Sequence, residues 1–174
     1  MLLIFSGYDG SNLSNITLLT RFKPIIYVPK EDPNCQLIDV LYEVYPNYII
    51  LWFHWPNDDY TGKEDYEPVI LVFRDQQLVV IGIRPHNKYK HAVRWVAEGS
   101  RPIIVFATSW HGPIINHGRV RDALAVGFSL SMVSQRKDDY RLVAGAPQDW
   151  YVKADSSMPV YDFANKIARD AGAV

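Results

Sequence analysis

Four short apolar runs, at residues 48–53, 69–73, 78–83 and 103–107, constrain this chain more than any other feature. Each is strand-length, rich in Val, Ile, Phe or Trp, and bounded by Pro, Asn, Asp or Gly. Their apolar character is nearly continuous rather than alternating, which is the pattern of strands covered on both faces. Arg74-Asp75-Gln76-Gln77 separates the second and third runs and reads as a hairpin connection, so that pair should be antiparallel. Without Gly or Asn in the connection the turn type stays open. Further strands are expected at 18–28, near 92–96 and at 125–132.

Two segments carry helical spacing instead. Asp32-Pro33 reads as an N-cap with proline at the first helical position. Leu37, Ile38, Leu41, Val44 and Tyr45 follow at helical intervals until Pro46, which predicts a helix over 33–45. Near the end, Val160, Phe163, Ala164, Ile167, Ala168 and Ala171 form one stripe, with Gly172 as the C-terminal cap, which predicts a helix over 159–171. Many central strands and few flanking helices make a mainly β (α+β) class, a β-sandwich with helices packed outside it. A three-layer α/β fold needs regular strand–helix alternation, and residues 69–108 leave no room for it.

The bulk numbers narrow the setting. A length of 174 residues suits one domain, 1–174, with a sizeable core. With 48% apolar and 13% aromatic residues the composition is too rich for disorder. A formal net charge of −1 supplies no global field to recruit nucleic acid or an anionic membrane. No stretch approaches the roughly 20 apolar residues of a spanning helix. The apolar run at the N-terminus ends at Phe5, has no basic flank, and is too short for a signal-peptide core. The single cysteine, Cys35, excludes an internal disulfide and suits a reducing compartment, so a cytoplasmic location is expected. It reads as a small, partly buried apolar residue, because no motif supplies a base beside it.

The chemistry-bearing stretch is residues 57–68, NDDYTGKEDYEP, with five carboxylates and one lysine between two core strands. Pro68 drives Glu67 toward extended backbone. If the strand has begun by Asp65, side-chain alternation puts Asp65 and Glu67 on one face, with Cα atoms roughly 6.5–7 Å apart. Asp58 leaves the preceding strand just after Pro56 and could close the same site. Oxygen-only ligands favour Mg²⁺, Ca²⁺ or Mn²⁺ over zinc. The plainer reading is an acidic loop that simply faces water.

Several pieces in order resemble the necrosis-inducing protein family, the cytolysin-like toxins of plant pathogens. Residues 21–24, RFKP, resemble the stretch that opens that family's core. Residues 48–58, YIILWFHWPND, resemble its aromatic strand ending in Pro-x-Asp. Residues 65–69, DYEPV, resemble the second half of its heptapeptide signature, and residues 108–112, TSWHG, its Ser-x-His-Gly turn. The likeness spans roughly residues 18 to 118. It implies a β-sandwich with outer helices and a divalent cation near one end, held by Asp58, Asp65 and Glu67, with His111 beside it and Ser109 and Glu64 lining the site. The departures are specific. Gly62, Lys63 and Glu64 stand where the family has histidines, so Lys63 could neutralise the cluster in place of a metal. The family's disulfide cysteines and secretion signal are missing, and a toxin role is not carried over.

Two other readings arise. Ser109 and His111 could pair as nucleophile and base, but the Gly-x-Ser-x-Gly elbow is absent and i, i+2 strand residues do not readily hydrogen-bond. Arg84, His86, Lys88, Lys90, His91 and Arg94, interleaved with Tyr89 and Trp95, form a basic segment that could serve a partner or nucleic acid. Without a recognised motif it reads better as a solvated edge, whose lysines deter unwanted strand pairing. The sequence therefore supports a domain that binds or hydrolyses a small phosphate- or sugar-containing ligand through a divalent cation. Its competitor is a non-enzymatic interaction module. Oligomeric state and enzymatic activity are not legible in it.

Overall fold

The computed structural model describes residues 10–30, 36–57, 62–85, 88–106, 112–115, 134–148 and 158–174. The elements run in the order α1 (Gly10–Phe22), β1 (Ile25–Pro29), β2 (Asp39–Val44), β3 (Tyr48–Trp55), β4 (Asp65–Arg74), β5 (Gln77–Ile83), β6 (Lys90–Ala92), β7 (Ala97–Glu98), β8 (Arg101–Phe106), β9 (Pro113–Ile115), β10 (Ser134–Lys137), β11 (Leu142–Ala144) and α2 (Val160–Asp170). One sheet has the order β11-β2-β3-β4-β5-β6, and the other β10-β1-β8-β7 with β9 also on β8. The neighbours pair antiparallel except β1 with β8 and β11 with β2, which are parallel.

The near-continuous apolar runs are explained by what lies on each face of the larger sheet. Ile49, Leu51, Phe53 and Trp55 on β3, with Val69, Leu71 and Phe73 on β4, face inward and meet Ile26, Ile104 and Phe106 of the second sheet. The alternate residues, Tyr48, Ile50 and Trp52 with Ile70, Val72 and Val80, are buried outside under α2, against Val160, Phe163, Ala164, Ile167 and Ala168. A β-sandwich with an outer helix is the architecture that the apolar pattern requires.

The hairpin between β4 and β5 is antiparallel, and its two central residues settle the turn. Asp75 and Gln76 have φ of 50° and 60°, the left-handed pair of a type I′ turn, achieved without Gly or Asn. α2 ends in a Schellman motif: Gly172, at φ 63°, donates to Arg169 O and Ala173 to Ala168 O, both at 2.9 Å.

The structure corrects three of the expected elements. Residues 39–44, expected inside a helix over 33–45, are strand β2, paired with β3 from Asp39↔His54 to Val44↔Ile49. Pro46 is not a helix stop but part of the hairpin turn, where Tyr45 N–H donates to Tyr48 O at 2.9 Å. Alternation explains the outcome: Val40, Tyr42 and Val44 pack into the inter-sheet core while Leu41 and Tyr45 reach the α2 side. A short run that fits both periods is decided by the partner strand. Residues 31–35, with Asp32-Pro33 and Cys35, lie outside the described residues.

The second correction concerns 18–28. Its first part is the end of α1, and strand begins only at Ile25. Asn15, Leu18, Leu19 and Phe22 lie on one helical face and are buried. α1 crosses the end of the sandwich where the β2–β3 and β4–β5 turns lie. Asn15 Nδ2 donates to Tyr45 O at 2.8 Å, and Phe22 packs on Phe73 with ring centroids 5.6 Å apart. The strand expected near 92–96 is not found: pairing with β5 ends at Ala92, residues 93–96 carry no regular structure, and β7 starts only at Ala97, while that expected at 125–132 lies outside the described residues.

Opposite α1, Trp55 and Phe53 meet Phe106 at 5.0 and 4.8 Å, and Tyr140 closes on Phe53 at 5.6 Å. Tyr140 is 9% exposed, and its hydroxyl donates to Pro24 O at 2.6 Å. Burial pushes the Tyr140 phenol far above its usual range, and burial next to Glu43 does the same to Tyr45. A group whose folded pKa is raised contributes its full stability below the unfolded value and loses it above. The fold should therefore hold through neutral pH and weaken once the solution passes the ordinary tyrosine range, about pH 10. Thermal melts between pH 8 and 11.5 check this. Tyr140→Phe should flatten the alkaline decline, at a cost of about 1 kcal/mol near neutrality for the lost hydrogen bond.

Candidate ligand site at one end of the sandwich

The end opposite α1 is where β3 finishes and β4 begins, with Trp55 facing Asp65 and Phe53 facing Glu67 across the ladder. Because Val69 and Leu71 point into the inter-sheet core, Asp65 and Glu67 share that inward face. The alternation argued from Pro68 thus holds on β4. Glu67 is 7% exposed, while Asp65 is half-buried with Oδ1 accepting from the Tyr66 N–H at 2.9 Å. The aromatic floor of Phe53, Trp55 and Phe106 excludes water beneath them, which strengthens any charge interaction made there.

These two carboxylates offer hard oxygen donors, which suit Mg²⁺, Ca²⁺ or Mn²⁺. Among the described residues no group of three His, Cys, Asp or Glu converges as a complete cage. Asp58, Ser109 and His111, the other residues assigned to this site, lie outside the described residues. Glu64 does not stay with Asp65 and Glu67: its Oε2 lies 3.5 Å from His54 Nε2.

His54 belongs to the other face of the sheet. Its ring stacks on Tyr66 at 4.2 Å and 10°, and Nδ1 lies 3.0 Å from Asp39 Oδ1. Asp39 Oδ2 accepts from the Arg141 guanidinium at 3.1 Å. His54 and Asp39 are both buried. Sequence reasoning missed this group because residue 39 was placed in a helix. Folding the chain back at Tyr45–Asn47 puts 39 opposite 54 by counting alone.

Beside the rim lies a cleft of about 340 Å³ lined by Ile83, Pro85, Lys90, His91, Pro113, Ile114 and Ile115. Ile83 pairs with Val69, two residues along β4 from Glu67. Only part of the basic segment reaches it. Arg84 is buried, and the aromatics face inward rather than toward a base: Tyr89 stacks on Phe163 at 4.4 Å and donates to Met158 O at 2.6 Å, and Trp95 packs on the core. No helix among the described residues is long and apolar enough to cross a membrane.

Fold and rim define a class: a mainly β sandwich with acidic residues at one end. No family model matches the chain, and no curated protein does. Among solved structures, the chain is similar to NLPPya, a necrosis-inducing-like protein, in complex with glucosamine. The TM-score is 0.51 and the identity 14%, over 93% of this chain and 90% of that one. The likeness establishes the fold.

Proposed function

We propose that the end of the sandwich opposite α1 binds a small polar ligand, a sugar or phosphate ester, through a divalent cation held by Asp58, Asp65 and Glu67, with His111 and Ser109 lining the site. The observation that carries this reading is the placement of Asp65 and the buried Glu67 on one inward face at the rim. The glucosamine bound to a protein of the same fold supports the ligand class. A bound cation would offer its open positions to hydroxyl or phosphate oxygens, and could polarise water there. The chain's own contribution is to hold the carboxylates over an apolar floor and so sharpen their preference for a cation.

Mg²⁺, Ca²⁺ or Mn²⁺ should raise the melting temperature with the logarithm of ion concentration above Kd, by about 2.7 kcal/mol of stability at a hundred times Kd. The double variant Asp65→Asn, Glu67→Gln should keep the fold and lose the shift. Glucosamine should add a further shift only while the cation is present. If none of the three ions alters stability, the interaction-module reading takes this one's place.

A further inference from the structure

The geometry points to a second metal site, separate from the rim and of different donor chemistry: a nitrogen-preferring divalent transition metal, zinc above all, bound by His54 Nε2 and Glu64 with Asp39 behind the histidine. Three observations converge. His54 is 9% exposed, and among the described residues its Nε2 has no hydrogen-bond partner. The group it faces is Glu64 Oε2 at 3.5 Å, too long for a good hydrogen bond. Two donors at zinc bond lengths of about 2.0–2.2 Å, set at a tetrahedral angle, are separated by about 3.4 Å. The pair therefore stands at the spacing of two ligands sharing one ion.

Support behind the ligand has the form that metal-bound histidines use. Asp39 Oδ1 lies 3.0 Å from Nδ1, which places the proton there and leaves Nε2 as the lone-pair nitrogen. Arg141 holds the other Asp39 oxygen at 3.1 Å, and Tyr66 stacks on the ring, so the imidazole is held in one orientation before any ion arrives. The Glu64 side chain, 62% exposed, is the solvent-facing partner, on the side from which an ion would enter. Two protein donors leave two positions of a tetrahedral ion to water. The site is then more open than a catalytic zinc site, which has three protein ligands and one free position, and unlike the closed four-ligand structural sites. It does not depend on the rim reading, because the rim offers oxygen donors only.

Titration of the full chain with Co²⁺, then Zn²⁺ in competition, tests this. One equivalent of Co²⁺ should give the visible absorption of a four-coordinate ion, and Zn²⁺ should abolish it. Asp39→Asn should weaken binding about 10- to 100-fold, the range for loss of such a support. His54→Gln should remove binding. Because these two positions are buried and their variants could misfold, the exposed Glu64 supplies an independent arm. Glu64→Gln should weaken the site, and Glu64→His, which adds a second imidazole, should tighten it. Asp65→Asn, Glu67→Gln should leave the four-coordinate absorption unchanged, because Co²⁺ held by the oxygen donors of the rim is six-coordinate and lacks that signal. Absence of Co²⁺ and Zn²⁺ binding overturns the proposal. So does binding that ignores both Glu64 variants, and so does binding that disappears with Asp65 and Glu67.

Discussion

Alanine at position 82 is expected to crowd the α2 side chains packed on the sheet and to destabilise the protein. Gly82 lies on β5 facing the helix, and a Cβ built there would meet Ile167 Cδ1 at 2.7 Å, Phe163 Cε1 at 3.0 Å and Ile70 Cβ at 3.3 Å. Real carbon atoms do not approach so closely, so the Ile167 and Phe163 side chains must turn aside or α2 must give. Overpacking of a tight core costs about 1–3 kcal/mol. Gly82→Val should cost more, because it adds two further methyl groups beside the same neighbours. Urea denaturation reads the loss as a lower midpoint. The contact also identifies its own suppressor. Ile167→Val removes the atom that is hit first and by itself costs about 0.5–1.5 kcal/mol. In the Gly82→Ala background it should cost less than that or be stabilising. A double-mutant cycle with no coupling between the two positions would show that the clash has been relieved elsewhere.

Removing the Glu43 carboxylate should have an effect of similar size through a different cause. Glu43 sits on β2 on the α2 side of the sheet. Its oxygens accept from Trp52 Nε1 at 2.8 Å, Tyr45 Oη at 3.1 Å and Tyr161 Oη at 3.1 Å. One charged group thus ties β2, β3, the hairpin turn and α2. Trp52 is fully buried, so in Glu43→Ala its N–H has lost its acceptor away from water. Hydrogen bonds to a charged group contribute about 1.5–3 kcal/mol, so a loss of about 3 kcal/mol is expected. Glu43→Gln should be milder: the amide oxygen can face the indole, and tyrosine hydroxyls can turn to accept from the amide nitrogen. The alkaline limb reports the same cluster. Burial is the first cause of the raised Tyr45 and Tyr48 phenols and the Glu43 charge the second, so both should ionise at lower pH in Glu43→Ala. Equal stability of the alanine and glutamine variants would argue against the acceptor role.

These contacts mark where local reading of the chain stops. The four apolar runs could be read as doubly covered strands because a strand-length segment without polar alternation has few other stable places. Asp65 and Glu67 could be put on one face because strand alternation and the restriction before Pro68 are properties of adjacent residues. α2 and its Gly172 cap were legible for the same reason, and the helix is found at Val160–Asp170.

Tertiary structure alone decided the rest. Residues 39–44 carry an apolar spacing that serves a helix or a strand, and pairing with β3 chose between them. That pairing brings Asp39 to His54 across fifteen residues of sequence, and the next strand over adds Tyr66 from β4 and Glu64 from just before it. Residues 10–22 likewise became helix because only a helix lays Leu18, Leu19 and Phe22 over the end of both sheets. Gly82 reads in the sequence as a weak point in a strand, and its purpose becomes visible only when Ile167 arrives, eighty-five residues later, to occupy the space a side chain would fill. Periodicity and backbone restriction act over a few bonds and are written in the chain. Which apolar face meets which, and which buried charge finds its partner, depends on long-range packing free energy that no local window contains.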